Sequence, residues 1–264
     1  MPSAQTAGTV GAAQLAAVLP LLAQRALCLC DGAYATDAWV TATAELPCDQ
    51  MVRAAHTRVL YRAAPLPSGK RGAPRKDGAR FKGSDPTTHG APAATWTGTD
   101  ATGHTVTVRC WANLHRKACR AVPLTALCLT RAAAQGTTRA PRDTWFWWLG
   151  GQPLPPLAEV ARLYPRRFGI EHGYKCDKGD LLWTAPHVRT PAQMECWTDV
   201  VRIVHNELGL ARPLAQVQHR PWEATTRPLT PRQVRRVMSR IIVQVGTPAA
   251  PSRPRGKSPG RAPG

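Results

Sequence analysis

Short apolar runs alternate with longer mixed segments at the start of the chain, which predicts a mixed α/β fold. Residues 11–25 have helical composition, with Pro20 marking a kink or a break. Residues 26–30, ALCLC, form a short apolar run that is typical of a buried strand and ends at Asp31. Residues 33–44 then resume a helix-like pattern. Because ligands of open α/β sheets bind beyond the carboxyl ends of strands, Asp31 marks a candidate site.

The middle of the chain has the pattern of strands and loops. Residues 50–62 predict one or two strands, and residues 63–93 are rich in Pro and Gly. Residues 94–111 alternate as a hairpin does, and residues 124–130 and 143–149 predict two further apolar strands. This region is therefore expected to be rich in β-structure.

Helical patterns dominate the C-terminal part. From Leu157 the sequence is helix-like but is interrupted by Pro165. Residues 191–212 give the clearest helix, with Pro at its start, and residues 230–243 predict a short basic helix. From residue 246 the chain is rich in Pro, Gly, Ser and Arg, which predicts a disordered tail.

Charge indicates the kind of partner. The chain has 35 Lys and Arg against 16 Asp and Glu, a formal charge of +19, so we expect a polyanion such as nucleic acid to bind. Apolar runs of 18 residues are absent from the sequence and no secretory signal is indicated, so we expect no membrane partner. The expected location is the cytoplasm, with the protein on the nucleoid when it binds DNA.

A constellation of one acid, three cations and a tyrosine is the main candidate for chemistry: Tyr164, Arg167, Glu171, Lys175 and Lys178. On a continuous helix these five residues would lie along one stripe. The acid could hold a divalent cation, the cations could hold phosphate oxygens, and the tyrosine could contact a phosphate or a base. The alternative is a solvated helix face with ordinary i,i+4 ion pairs.

Further cations lie in a loop at residues 70–82. Two interpretations stay open for this loop: it contacts phosphate groups, or it is an ordinary solvated loop. Its six basic residues are Lys70, Arg71, Arg75, Lys76, Arg80 and Lys82. The basic tail is similar to an arm that binds the minor groove of DNA, but its pattern is less specific than that of the loop.

Cysteine and tryptophan patterns are interpreted as structural. Cys28 and Cys30 share one face of the predicted strand and are expected to be buried thiols. The spacing Cys110-x4-His115-x3-Cys119 lacks the paired C-x2-C of a structural zinc site. A period of two puts Trp145 and Trp147 of the predicted strand on one face, which favours core packing over stacking on bases.

The pattern Y-x2-R-x3-E-x6-K, from Tyr164 to Lys178, resembles that of bacterial insertion-sequence transposases with a DDE catalytic triad on an RNase H-like fold. The segment LCLCDGAY around Asp31 is similar to the strand that ends in the second catalytic Asp of this family. The segment MVRAAHTRVLYR and the following loop with GAPRKDGARF resemble one actinobacterial-type branch. The Trp-rich strand, the helix around Glu171 and the helix at residues 197–212 follow in the family's order.

This resemblance implies an α/β fold: a partial RNase H-like core with a β-rich insertion and a helical, basic C-terminus. It implies Mg²⁺- or Mn²⁺-dependent cleavage and strand transfer of double-stranded DNA, in which three carboxylates hold two ions. Asp31 would be the second acid and Glu171 the third. Tyr164, Arg167 and Lys178 would hold the transposon end, and a homodimer on DNA is the expected assembly.

The sequence departs from this family at its start. Residues 1–30 contain no Asp or Glu, whereas the first acid should lie on an earlier strand. We therefore expect an N-terminally truncated transposase: a remnant, a frameshifted copy or a start assigned too late. Such a chain would be inactive as an enzyme, because its metal site is incomplete. Substitution by Asp37 or Asp49 is the alternative, although neither is placed on a preceding strand.

The expected organisation has four parts. Residues 1–50 form a partial core, 51–135 a basic inserted region, 136–212 the rest of the core with the Glu171 helix, and 213–264 a basic tail. Two other interpretations stay open: a non-catalytic DNA-binding remnant or regulator of a related element, and a chain with no stable fold.

Overall fold

The computed structural model describes residues 6–66, 73–100, 103–132 and 141–246. The chain divides into two compact units, Met1–Phe168 and Gly169–Gly264. The first contains a mixed β-sheet with helices, and the second is built from helices. The predicted α/β class is confirmed. The tail beyond residue 246 lies outside the described residues.

The order helix, strand, Asp31, helix is confirmed at the start of the first unit. A capping box between Thr6 and Thr9 begins the first helix, which ends shortly before Pro20 rather than at residue 25. Pro20 lies instead in a 3-10 turn, Leu19–Leu21, because its ring fits a first turn but not a helix interior. The elements are α1 (Ala7–Val18), β1 (Ala26–Cys30), a 3-10 turn (Gly32–Tyr34) and α2 (Asp37–Thr43).

Eight strands of the described residues form one sheet in the order β1-β2-β8-β7-β6-β3-β4, with β5 on β6. The β1–β2 pair is parallel and the other pairs are antiparallel, as in a mixed sheet. The predicted hairpin is confirmed, since Thr99 pairs with Thr105 across its turn. The remaining strands are β2 (Cys48–Ala54), β3 (Val59–Arg62), β4 (Arg80–Lys82), β5 (Ala94–Thr99), β6 (Thr105–Arg116), β7 (Cys119–Arg131) and β8 (Arg142–Leu149).

Both faces of the sheet are covered by apolar side chains. Trp145 and Trp147 pack on the face that carries Trp39 of α2, as the period of two predicted. Phe146 and Trp148 pack on the opposite face, where α3 (Leu157–Leu163) contributes its apolar residues. The tryptophans of β8 are therefore core residues, with exposed fractions of 7% or less.

The second unit has its own small core. Leu208 and Ala211 pack there with Val234 and Ile241, all of them buried. Its helices are α4 (Phe168–Gly179), which starts at the last residue of the first unit, α5 (Pro191–Leu210) and α6 (Pro231–Val245). The last two begin at capping boxes with Pro in the first turn, which is why their starts were readable from the sequence.

Candidate active site and nucleic-acid interface

Asp31 lies immediately beyond the carboxyl end of β1. One of its carboxylate oxygens accepts a hydrogen bond from the backbone N–H of Ala33, at 2.8 Å, and so caps the 3-10 turn that follows. The side chain is half-buried. Because β1 and β2 are parallel, this position is the edge of the sheet at which ligands of α/β folds bind.

A cleft of about 450 Å³ opens at the same edge, next to Gly32. The carboxyl end of β2 and the amino end of β8 line it, since these two strands are antiparallel. We call it the first-unit cleft; its ionisable residues are Arg53, His56, Arg58, Arg142 and Asp143.

The first-unit cleft is cationic. Its single acid, Asp143, accepts a hydrogen bond from the Thr130 hydroxyl at 2.6 Å and lies 3.9 Å from the Arg109 guanidinium. Over the part of the chain that the structure describes, no carboxylate pairs with Arg53, Arg58 or Arg142. Three exposed guanidinium groups without acidic partners are suited to binding phosphate oxygens.

Asp37 and Asp49, the two alternative acids, are both held in ion pairs with arginine. Arg116 donates to both oxygens of Asp37, at 2.6 and 3.1 Å. Arg25 donates to both oxygens of Asp49, at 2.9 and 3.1 Å. Asp49 pairs in register with Leu27, four residues before Asp31, so it lies roughly 13 Å back along the strand pair. Each of these acids has a structural partner of its own.

The helical segment that begins at Leu157 is interrupted at Pro165, as the sequence predicted, so Tyr164 and Lys178 do not lie on one continuous helix. The described chain forms α3, then a 3-10 turn at Tyr164–Arg167, and then α4. Pro165 explains the break, because it lacks an N–H and its ring is accommodated only in the first turn of a helical segment. The angular spacing of one helix therefore does not apply between the 3-10 turn and α4.

Tyr164 lies in the core of the first unit. Its ring is 8% exposed and 4.6 Å from the ring of Phe146, and among the described residues its hydroxyl has no hydrogen-bond partner. The guanidinium of Arg167 lies over the rings of Tyr164 and Phe168, at 5.4 and 5.2 Å from their centroids. Contact of Tyr164 with DNA, predicted from the sequence, would thus require this ring to leave the core.

Three of the predicted site residues lie on α4. Glu171 is in its first turn, and Lys175 and Lys178 follow at i+4 and i+7, so the three share one exposed face. The ammonium of Lys178 is 6.0 Å from the ring centroid of Trp183, on which Tyr174 stacks. Glu171 belongs to the second unit, whereas Asp31 belongs to the first. Their joint role in metal binding stays a prediction.

A second cationic cleft lies within the helical unit and was not predicted. It has a volume of about 460 Å³, and Trp222 in its wall is 76% exposed beneath the guanidinium of Arg220. We call it the second-unit cleft; its charged residues are Asp180, Arg220, Glu223, Arg232, Arg235 and Arg236. Its acids are paired, Asp180 with Arg232 and Glu223 with Arg236. The exposed aromatic ring beside arginine is a surface that nucleic acids can use.

Two of the predicted basic loop residues, Arg75 and Lys76, are exposed, while Lys70 and Arg71 lie outside the described residues. The neighbouring Asp77 is held by Arg120 through two hydrogen bonds and by His115 through one. These contacts hold the pKa of Asp77 well below its usual value, and the contact with Arg120 has the larger effect.

The cysteines support the structural interpretation. All are free thiols, and the sulfur atoms of Cys28 and Cys30 lie 3.5 Å apart. Cys110 and Cys119 pack in the cores on opposite faces of the sheet, and His115 is occupied by Asp77. Cys110, His115 and Cys119 therefore do not form a zinc site together.

Sequence reasoning missed the cationic clefts because their residues are far apart in sequence. Arg58 and Arg142 meet only because β2 and β8 are neighbours. Ligands of open α/β sheets bind beyond the carboxyl ends of strands, so the residues that follow each predicted strand could have been considered as candidates.

Residues 2–116 match the sequence profile of the family described as DDE superfamily endonuclease. This match covers β1 to β6 and Asp31, and it supports a DDE-type transposase or endonuclease. It covers fewer than half of the 264 residues and ends before Glu171. No curated protein matches the chain. In the described residues, no helix is long and apolar enough to cross a membrane.

The divalent ions expected of this family need several carboxylates. In the described part of the first unit, Asp31 has no group of two further His, Cys, Asp or Glu ligands around it. One carboxylate does not form a two-metal site, so no metal-dependent step can be derived from this unit alone.

Proposed function

We propose that the chain is a copy of a DDE-type insertion-sequence transposase whose substrate is double-stranded DNA at the transposon ends. In this proposal it acts as a homodimer on the nucleoid, in the cytoplasm. The observation that carries it is that Asp31, which lies in the region of the family match at the carboxyl end of β1, is next to the first-unit cleft. An acid beside arginines that have no carboxylate partner in the described residues suits an enzyme that must bind both a cation and phosphate oxygens.

Within this proposal, Asp31 and Glu171 are ligands of Mg²⁺, and Mn²⁺ can replace it. The ions would activate a water or a 3′-hydroxyl and stabilise the leaving oxygen. Arg167, Lys175 and Lys178 would hold phosphate oxygens, together with Arg75 and Lys76 of the basic loop. We propose further that the chain does not cleave DNA by itself, because in the described part of the first unit Asp31 has no group of further metal ligands around it.

A nicking assay tests the catalytic part of the proposal. Purified chain is incubated with supercoiled plasmid, and separately with a duplex carrying the ends of the element that encodes it, in Mg²⁺ and in Mn²⁺. We expect no nicking above that of the Asp31→Asn/Glu171→Gln double variant. Metal-dependent nicking that Glu171→Gln abolishes would show that the chain is an active enzyme and that its proposed inactivity is wrong.

A second function, non-catalytic DNA binding, is favoured by the arginines of the first-unit cleft, which have no carboxylate partners in the described residues. Each phosphate contact releases counterions, so the affinity should fall steeply with salt. Fluorescence anisotropy with end-containing and scrambled duplexes, over a salt series, distinguishes the outcomes. A preference for end DNA supports a retained regulator, equal binding supports a general DNA-binding remnant, and no binding at low salt contradicts both.

A further inference from the structure

Three side chains of different ligand chemistry meet where α4 contacts α5 in the second unit. Cys176 and Asp177 are consecutive residues near the end of α4, and His205 is on α5. One ligand atom from each, a sulfur, a carboxylate oxygen and a ring nitrogen, lies within 4.8 Å of the other two. Among the described residues, this is the one group of three or more such side chains found within that distance.

The group is sheltered from solvent. Cys176 is 8% exposed, and the side chains of Asp177 and His205 are 17% and 30% exposed. His205 is hydrogen-bonded through Nδ1 to Asp177, at 2.5 Å. A β-carbon at Gly173 would lie 3.7 Å from the His205 ring, an ordinary contact distance, so this ring lies against α4. The hydrogen bond between His205 and Asp177 and the burial of Cys176 hold the three side chains in place.

The distances suit a tetrahedral cation. Zinc bonds of about 2.0–2.3 Å to N, O and S place ligand atoms about 3.3–3.8 Å apart. The three ligand atoms lie at most 4.8 Å apart and would have to move closer together to bind one ion. The Nδ1 atom of His205 and the Asp177 oxygen, now 2.5 Å apart, would have to separate by less than about 1 Å.

We propose that Cys176, Asp177 and His205 form a site for Zn²⁺ or a similar borderline-soft divalent cation that joins α4 to α5. Three protein ligands leave a fourth position for water or another donor. The cation would stabilise the second unit by linking two helices whose buried apolar contacts are few. This proposal does not depend on transposase activity.

The surrounding charges show what a cation would change. Burial is the main reason that the pKa of Cys176 is raised, and Asp180 and Asp177 raise it further, while Arg235 opposes them. Without a metal the thiol is therefore protonated at neutral pH. A bound cation favours the thiolate, and binding should release protons and weaken at acidic pH.

The alternative is an ordinary hydrogen-bonded His–Asp pair beside a buried thiol. Co²⁺ distinguishes the two, because a cobalt–thiolate bond gives a charge-transfer absorption in the near ultraviolet that a carboxylate–imidazole site lacks. The full chain, freed of metal with a chelator, is titrated with Co²⁺ and then with Zn²⁺. We expect one Co²⁺ per chain, the thiolate absorption, and its loss as Zn²⁺ displaces cobalt.

Two variants test the ligands and two serve as controls. Cys176→Ser should remove the thiolate absorption, and His205→Gln should weaken metal binding by at least tenfold, about 1.4 kcal/mol. The controls are Cys196→Ser and His172→Gln, which change an exposed cysteine on α5 and an exposed histidine on α4. Both should keep the absorption.

Folding is checked on each variant by circular dichroism. A folded wild-type chain that takes up no stoichiometric Co²⁺, or whose absorption persists in Cys176→Ser, would overturn the site. A variant that loses its fold is replaced by Cys176→Ala, and the wild-type titration decides the question in any case. Zn²⁺ should also raise the melting temperature of the wild type and leave that of Cys176→Ser unchanged.

Discussion

The carboxylate of Asp31 accepts a hydrogen bond from the backbone N–H of Ala33, at 2.8 Å, directly beyond β1. One acid therefore has a local structural role in addition to its proposed role in cation binding. The two roles use different properties, since capping needs only an oxygen acceptor whereas a divalent cation needs the negative charge.

Replacing Asp31 separates these roles. Asp31→Ala removes the cap and should lower the free energy of unfolding by about 0.5–2 kcal/mol. Asp31→Asn keeps the oxygen and should stay within about 0.5 kcal/mol of the wild type, because Asn and Asp cap about equally well. Urea unfolding followed by tryptophan fluorescence measures both. Equal losses in the two variants would show that the charge of Asp31, not its capping oxygen, stabilises this turn.

Arg58 in the first-unit cleft should contribute to DNA binding. Arg58→Gln removes a charge-assisted hydrogen bond worth about 1.5 kcal/mol, so the affinity for duplex DNA should fall by about tenfold at low salt. The log–log salt slope should become shallower by about 0.9, the value for one phosphate contact on duplex DNA.

The matched control for Arg58 is Arg162→Gln, which removes an exposed arginine of α3 that does not line this cleft. Both variants lower the net charge by one, so general electrostatics affects them alike. Fluorescence anisotropy at several salt concentrations measures the difference. Equal effects of the two substitutions would show that the cleft is not a preferred DNA contact.

The α/β class and most element positions could be predicted because they depend on local signals. The run before Asp31 is short and apolar, and Pro191 and Pro231 begin the last two long helices after capping threonines. Such features act over a few residues, and the sequence displays them directly.

The candidate site was less predictable because it depends on long-range pairing. Helical spacing from Tyr164 to Lys178 suggested one stripe, but Pro165 breaks the helix and the core buries Tyr164. Arg53 and Arg142 line one cleft only through the pairing of β2 with β8, which no local pattern encodes. Side-chain burial and strand order are decided by the whole core, so motif spacing alone could not supply them.

Gly150 should be intolerant of any side chain. Its φ is +148°, and an added β-carbon would lie 2.9 Å from the Asp49 Cα and closer still to its carboxylate, which binds Arg25. Gly150→Ala should therefore lower the free energy of unfolding by about 2–4 kcal/mol, through backbone strain and displacement of β2.

Gly151→Ala is the control for this clash. Its β-carbon would meet only the end of Arg25, at 3.5 Å, which is ordinary contact. Urea unfolding of both variants should show a large loss for the first and a loss below about 1 kcal/mol for the second. Similar losses would indicate a general sensitivity of this turn rather than the contact with Asp49.

Glu223 should make the second unit sensitive to acid. The pKa of Glu223 is lowered to about 2, from an ordinary 4.5. The main cause is the hydrogen bond from the Arg236 guanidinium, and the backbone N–H of Arg220 is the next. A lowered folded-state pKa stabilises the fold at pH values above the unfolded-state pKa, and this contribution is lost as the pH falls from about 5 towards 2.

Arg236→Gln should therefore have a lower melting temperature than the wild type at pH 6, and the difference should shrink towards pH 2. Arg240→Gln is the matched control, because it removes an exposed arginine of α6 that has no ion pair in the described residues, and it should show no such pH-dependent difference. A constant difference between Arg236→Gln and wild type at every pH would contradict the proposed ionic contribution.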